Sequence, residues 1–418
     1  MTRKQYDRLN GGLPLSLPRS DNLSLSHSDN LSLSRREFLR LSALLTGAVA
    51  LPRLAAAANP DDPVRIGYLP ITDASPLLVA HAQKLFEAQG LAVETPRLFR
   101  SWAQIVEAFM AGQVNVVHLL SPMTVWARYG SHLAAKVVAW NHMSGSALTV
   151  GLNIQSIKDL GGKKVAVPFW YSIHNVVLQH LLRENGLTVV TKPAAALQAN
   201  EVALTVMAPP DMGPALANGA IAGFIVAEPF NAAAEINGIG RVLRFTGDVW
   251  RDHACCVVTL HERDLKDRPE WSQKVVNAIV NAQHWLRNNR EAGAQLLAKD
   301  APGKYTPFPP AVLARVLAPE AGRQQQYVAV GAIRHPEWKD QRIDFQPYPF
   351  PSYTEQLVKF LKLTQVEGDN RFLAALDPAF AARDLVDDRF VKNAIAALGG
   401  LKAFGLPEKF TRAETIVA

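Results

Sequence analysis

The chain's 418 residues are 48% apolar and 19% charged, enough to bury a large core spread over two or three lobes, and no stretch nears the roughly twenty apolar residues that cross a bilayer as a helix. The formal charge of +7 would suit nucleic acid, but residues 1–58 hold eight Lys/Arg against four Asp/Glu, a net of +4 that leaves only +3 on the rest. Nucleic-acid binding thereby loses most of its support.

In chain order, residues 1–34 are polar and repetitive, with SDNLSLS written twice, a composition that cannot bury enough surface to stay ordered. SRREFLR then precedes a short apolar run and RLAAAANP. This is the order of charged region, apolar region and Ala-x-Ala cleavage site in an export signal, with an uncleaved basic anchor as the alternative. The pair Arg35-Arg36 followed by Phe38-Leu39 resembles the twin-arginine signal. We expect residues 1–58 to be tail and signal peptide, and the mature protein to be periplasmic.

From Pro63 short apolar runs alternate with amphipathic stretches, the pattern of an α/β fold. Strands are expected at VRIGYL, LAVETPRLF, VNVVHLL, AAKVVAW and ALTVGLN, with helices at SPLLVAHAQKLFEAQG, WAQIVEAFMAGQ and a segment ending near Tyr129. Further strands follow at residues 164–168, EVALTVMA, IAGFIVAE and RVLRFTG, and helices at 172–186, PDMGPALANGA and PFNAAAEINGIG. Beyond an apolar return strand at 254–260 the chain is mainly helical, most clearly at 269–289. The expected domains are a first lobe of 63–152 plus 254–300, a second of 153–250, and a helical region, 300–418, packed on the first.

VWRDHACCV, residues 249–257, contains both cysteines of the chain. Neighbouring residues of a strand point to opposite faces, so one metal ion would meet one thiol, and no second Cys-x-x-Cys or His-x-x-His completes a tetrahedral set. A disulfide between neighbours closes a strained ring. Two buried structural thiols are the leading reading, with a vicinal disulfide or a metal behind it, and neither a metal nor a cofactor is expected. No Gly-x-Ser-x-Gly, His-Glu-x-x-His or phosphate loop marks a familiar hydrolase or nucleotide enzyme.

Polar residues recur where strands end, the place where open α/β sheets bind ligands. They are Asp73 after the first strand, Trp102 after the second, Ser121 after the third, His174 at a helix start, and Glu228, with the small Ala227 before it, at the end of IAGFIVAE. Each alone reads as a cap, a core aromatic or a surface carboxylate; together they line facing edges.

Thr-Asp-x-x-Pro, Leu-x-Pro-Met and Glu-Pro-x-Asn, in this order within VRIGYLPITDASPLLVAHAQKLFEAQGL, SWAQIVEAFMAGQVNVVHLLSPM and GFIVAEPFNA, resemble nitrate- and bicarbonate-binding proteins of bacterial ABC importers. The wider group binds sulfonates, taurine and pyrimidine precursors of thiamine. The resemblance covers residues 64–260 and the helical tail loosely. It implies a two-lobed periplasmic binding protein of type II, mixed and mainly parallel sheets with helices on both faces, and chain crossings near 151–156 and 247–254. It also implies an ABC permease and ATPase as partners, capture of a small anion and no catalysis. A pyrimidine-synthase-like enzyme and an anion sensor are the alternatives. Carried over by position, the family's tryptophan is Trp102, its helix-start histidine His174, and its Gly-Glu-Pro is Ala227-Glu228-Pro229. A family lysine becomes Arg251 and a family glutamine Ser146. An arginine fork suits a flat anion face and serine leaves space, so an anion somewhat larger than nitrate, held by Arg251 and His174, is the expectation.

Overall fold

The computed structural model describes residues 62–192 and 196–417, so the export-signal reading lies outside the described residues. Thirteen strands appear among them: β1 (Ile66–Tyr68), β2 (Arg97–Leu98), β3 (Val116–Leu120), β4 (Ala135–Trp140), β5 (Met143–Ser144), β6 (Ser146–Val150), β7 (Lys163–Val167), β8 (Thr188–Val190), β9 (Glu201–Val206), β10 (Gly223–Ala227), β11 (Arg241–Phe245), β12 (Cys256–His261) and β13 (Ile343–Asp344). Two main sheets result, in the orders β2-β1-β3-β12-β4 and β11-β6-β10-β7-β9-β8, with β13-β5 as a small third. In the first, β1 runs parallel to β2 and β3 while β12 returns antiparallel between β3 and β4. In the second, β7, β8, β9 and β10 are mutually parallel, and β6 lies antiparallel between β10 and β11. Strands β3, β6, β10 and β12 are buried along their whole length, because helices cover both faces.

Local chemistry sets the helix starts that matter here. Ser101 accepts from Gln104 N–H at 3.3 Å at the head of the helix Trp102–Met110, and Ser172 accepts from Asn175 N–H at 3.0 Å ahead of the helix Ile173–Glu184, each satisfying a donor the helix leaves open. The long amphipathic helix Pro269–Asn288 buries Val275, Val276, Ile279, Val280 and Leu286. Its Gln283 amide donates to the carbonyls of Trp140 and Asn141 at 2.9 and 2.8 Å, pinning the chain as it leaves β4.

The passages between sheets differ from the sequence-based expectation. ALTVGLN, assigned to the first lobe, contributes β6 to the second sheet, so the first crossing is 141–145 instead of 151–156. The second crossing occupies 246–255. Both are sharply bent: Ser144, Gly145 and Asp252 have φ of 55°, 80° and 52°. At Gly145 a Cβ would lie 3.0 Å from His142 Nδ1 and 3.1 Å from Ile343 Cδ1, so glycine serves both conformation and space. The C-terminal region touches both sheets. Helix Arg389–Ala397 packs on β4 and helix Pro351–Lys362 on the helix Ser121–Val125, while β13 pairs with β5 and Arg342 reaches Glu228 beyond β10.

Candidate functional site

The ends of β1, β3, β4 and β10, the start of β6 and β12, and the head of the helix Ile173–Glu184 converge on one buried polar cluster. Asp73, His142, His174, Cys255 and Cys256 are all fully buried and Ser146 nearly so. On the first-sheet side, Asp73 Oδ2 stands 2.9 Å from His142 Nε2 and 3.3 Å from Cys256 Sγ, the Cys256 N–H lies 3.2 Å from the same His142 nitrogen, and the Asn141 amide donates to the Asp73 carbonyl. On the second-sheet side, Ser146 Oγ is 2.9 Å from His174 Nε2. Cys255 Sγ joins the two halves, 3.7 Å from Ser146 Oγ and 3.8 Å from His174 Nε2.

Both thiols therefore face the same cluster, which overturns the argument that separated them. Strand β12 begins at Cys256, and Cys255 sits in the bend before it, where strand alternation does not apply. Ligating atoms of Asp73, His142, Cys255 and Cys256 lie within 4.8 Å of one another.

Burial and mutual charge set the protonation. Burial lifts the Asp73 carboxyl to about 7 against the pull of His142. Burial opposes charge on His142 too, but the Asp73 carboxylate and the Cys255 sulfur together outweigh it and raise the imidazole to about 10. Burial works against ionising Cys255, yet the Cys256 S–H and the imidazoles of His174 and His142 hold its thiol well below the ordinary range, while burial and that neighbouring sulfur push Cys256 well above it. The surroundings thus favour the cationic form of the His142 imidazole and make Cys255 the more easily ionised of the two thiols. Burial, helped by the charge on His142, drives His118 down to about 3, so this second imidazole is neutral.

Of the residues singled out from the sequence, Asp73, Ser146 and His174 meet in the cluster, and Ala227 lies beside it, paired in register with Ser146. Trp102 is one layer out, its ring edge-on to His118 at 5.3 Å, and His118 Nε2 accepts from Leu69 N–H at 3.1 Å. The Ser121 hydroxyl is taken up at 2.6 Å by Tyr353 OH, which also donates to the Ala254 carbonyl at 2.5 Å. Glu228 is engaged by Arg342 Nε at 2.6 Å and by Ala232 N–H at 3.1 Å, and its carbonyl accepts from Thr72 N–H and Oγ1 at 2.9 and 3.1 Å. Arg251 does not join them. The turn at Asp252 directs it outward, 45% exposed, 3.6 Å from the Asp252 carboxylate and over the Trp338 ring, while Trp250 and His253 on either side are buried. The site's cation is instead His142, which sequence reasoning passed over. Arg342 is likewise absent from that reading, and Cys255 and Cys256 stand in it as structural thiols near the second crossing; the signal for His142 was a histidine two residues past a buried strand, in AWNHM. A cavity of about 300 Å³ reaches Ser144 and Ser146 from the side of the C-terminal region, passing Asp248, Arg342 and Tyr327.

The family model described as the NMT1-like family matches residues 57–299. The chain belongs to the NMT1-like family. Among relatives of this NMT1-like chain, the nitrate/nitrite binding protein NrtA of Nostoc sp. is 24% identical over 53% of this chain and 53% of its own length, and NrtA of Synechococcus elongatus is 24% identical over 61% and 63%. The chain thus spans a little over half the length of the curated relatives it matches. The periplasmic nitrate-binding protein NrtA from Synechocystis superposes with a TM-score of 0.65 at 18% identity, over 84% of this chain and 93% of the other. The aliphatic sulphonate binding protein SsuA from Escherichia coli gives 0.56 at 18%, over 78% and 97%. The fold is that of the periplasmic binding proteins, with mixed sheets, flanking helices and a helical C-terminal region.

Proposed function

We propose that this NMT1-like chain is the solute-binding component of an ABC importer, capturing a small anion of the nitrate, bicarbonate or sulfonate class between two lobes built on the two sheets and passing it to a membrane permease with its ATPase. Catalysis has no part in this reading. The observation that carries it is the buried meeting of strand ends from both sheets around Ser146, His174 and a cationic His142, with both chain crossings running through it. A ligand there touches both sheets at once, so its binding favours closure about residues 141–145 and 246–255. Within this reading His174 and Ser146 donate to the anion, His142 supplies charge, Trp102 backs the site through His118, and Glu228 with Arg342 holds the floor. Export to the periplasm by the twin-arginine route belongs to the same reading; the periplasmic NrtA and SsuA among its structural neighbours support the compartment, and the Arg35-Arg36 pair the route.

A thermal-shift screen of the purified chain over nitrate, bicarbonate, taurine and short alkanesulfonates tests the class. A ligand at a hundred times its Kd adds about 2.7 kcal/mol to folding stability, a melting shift of roughly 5 °C for a protein of this size. No shift with any of these anions overturns the proposal.

A further inference from the structure

We propose that Asp73, His142, Cys255 and Cys256 form a binding site for a zinc-class divalent cation at the base of the cleft. The assignment rests on these four side chains and not on which anion binds; it shares His142 with the proposed anion site, where the bound cation replaces the imidazolium as the positive charge.

Geometry is the first argument. Tetrahedral zinc, with bonds of about 2.0–2.3 Å, sets its ligating atoms roughly 3.3–3.8 Å apart. Here the four atoms fall within 4.8 Å of one another, and the Asp73 carboxylate oxygen is 2.9 Å from His142 Nε2 and 3.3 Å from Cys256 Sγ, so small side-chain rotations complete the tetrahedron. The backbone is arranged for it: the bend at Cys255 turns the first thiol toward the cluster, and β12 begins with the second.

The donor set is the second argument. Two sulfurs, one imidazole nitrogen and one carboxylate oxygen match a borderline cation, whereas magnesium and calcium take oxygen ligands and copper(I) favours sulfur donors. Binding exchanges protons for metal: whatever protons the two thiols, the Asp73 carboxyl and the ligating imidazole nitrogen hold leave to solvent, and lone pairs from two sulfurs, one nitrogen and one oxygen go to the cation.

The test uses the whole chain, purified, reduced and stripped with a chelator, then titrated with Co²⁺ as an optical probe and with Zn²⁺ against a competing chelator. The expected result is one equivalent of Co²⁺ with a strong sulfur-to-cobalt charge-transfer absorption, displaced by Zn²⁺, and a Zn²⁺ affinity at least a hundredfold lower in the Cys255→Ser, Cys256→Ser double variant and at least tenfold lower in His142→Gln. Absence of the sulfur-to-cobalt band in the unmodified chain overturns the site whether or not the variants fold. So does an unchanged Zn²⁺ affinity in the double variant. Anion titrations run on the same samples with and without Zn²⁺ separate the two proposals: anion binding without a cobalt band removes the metal alone, and a cobalt band without anion binding removes the anion reading alone.

Discussion

Replacing Arg342 by methionine is expected to destabilise the protein by about 3–5 kcal/mol, the cost of stranding one member of a buried ion pair. The side chain of Arg342 is 5% exposed and that of Glu228 fully buried. Arg342 also donates to Tyr327 OH at 2.7 Å and to Glu235 at 3.2 Å, so one substitution releases Glu228 and Glu235, which tie the C-terminal region to the end of β10 and the helix Phe230–Ile236 after it, and Tyr327 within that region. At roughly 2 °C per kcal/mol for a chain of this size, the melting point falls by roughly 6–10 °C, measured by calorimetry or circular dichroism. The loss depends on pH with a definite sign. Burial already raises the Glu228 carboxyl, and Arg342 is the largest influence pulling it back. Without Arg342 the folded-state value rises further above the unfolded one. The native state then binds the extra proton over a wider window, and stability falls as pH increases through it. The cost of Arg342→Met is therefore smaller near pH 5 than near pH 8, and adding Glu228→Gln recovers part of it. A loss under about 1 kcal/mol, or one that shrinks as pH rises, refutes the buried pair.

Two further substitutions probe the crossings. Gly145→Ala forces a side chain into a left-handed backbone against His142 and Ile343 and should cost about 1–3 kcal/mol by denaturant titration; a neutral result would show that the crossing is free to adjust. Tyr353→Phe removes the hydroxyl shared by Ser121 and the Ala254 carbonyl, with an expected loss of about 1–1.5 kcal/mol, measured the same way, and an unchanged stability would show that this contact does not hold the second crossing.

Much of the architecture was legible because local patterns carry it. Buried strands such as VNVVHLL, the Ser172-capped helix and the amphipathic helix Pro269–Asn288 follow from apolar spacing and capping alone. Sheet membership does not: β6 is as apolar as β4, and only its antiparallel pairing with β10 and β11, more than seventy residues downstream, decides its place. The candidate site divides along the same line. Asp73, Ser146 and His174 stand at element ends that the pattern exposes. His142 and Arg342 act through contacts set by tertiary packing, with Arg342 coming from a segment over a hundred residues away from its partner. Arg251 and Cys255 both lie in the bent stretch 250–255, where a left-handed residue and a bend reverse the directions that strand alternation assigns.

Isothermal titration of whichever anion shifts the melting curve, carried out with the unmodified chain, His174→Ala and Arg251→Ala in parallel, tests the placement of the ligand most directly. A charge-assisted hydrogen bond is worth about 1.5–3 kcal/mol, so His174→Ala should weaken binding roughly ten- to hundredfold or more, while Arg251→Ala, half-exposed and turned toward Asp252, should stay within about twofold. Full affinity in His174→Ala together with loss in Arg251→Ala would contradict the placement of the ligand among Ser146, His174 and His142.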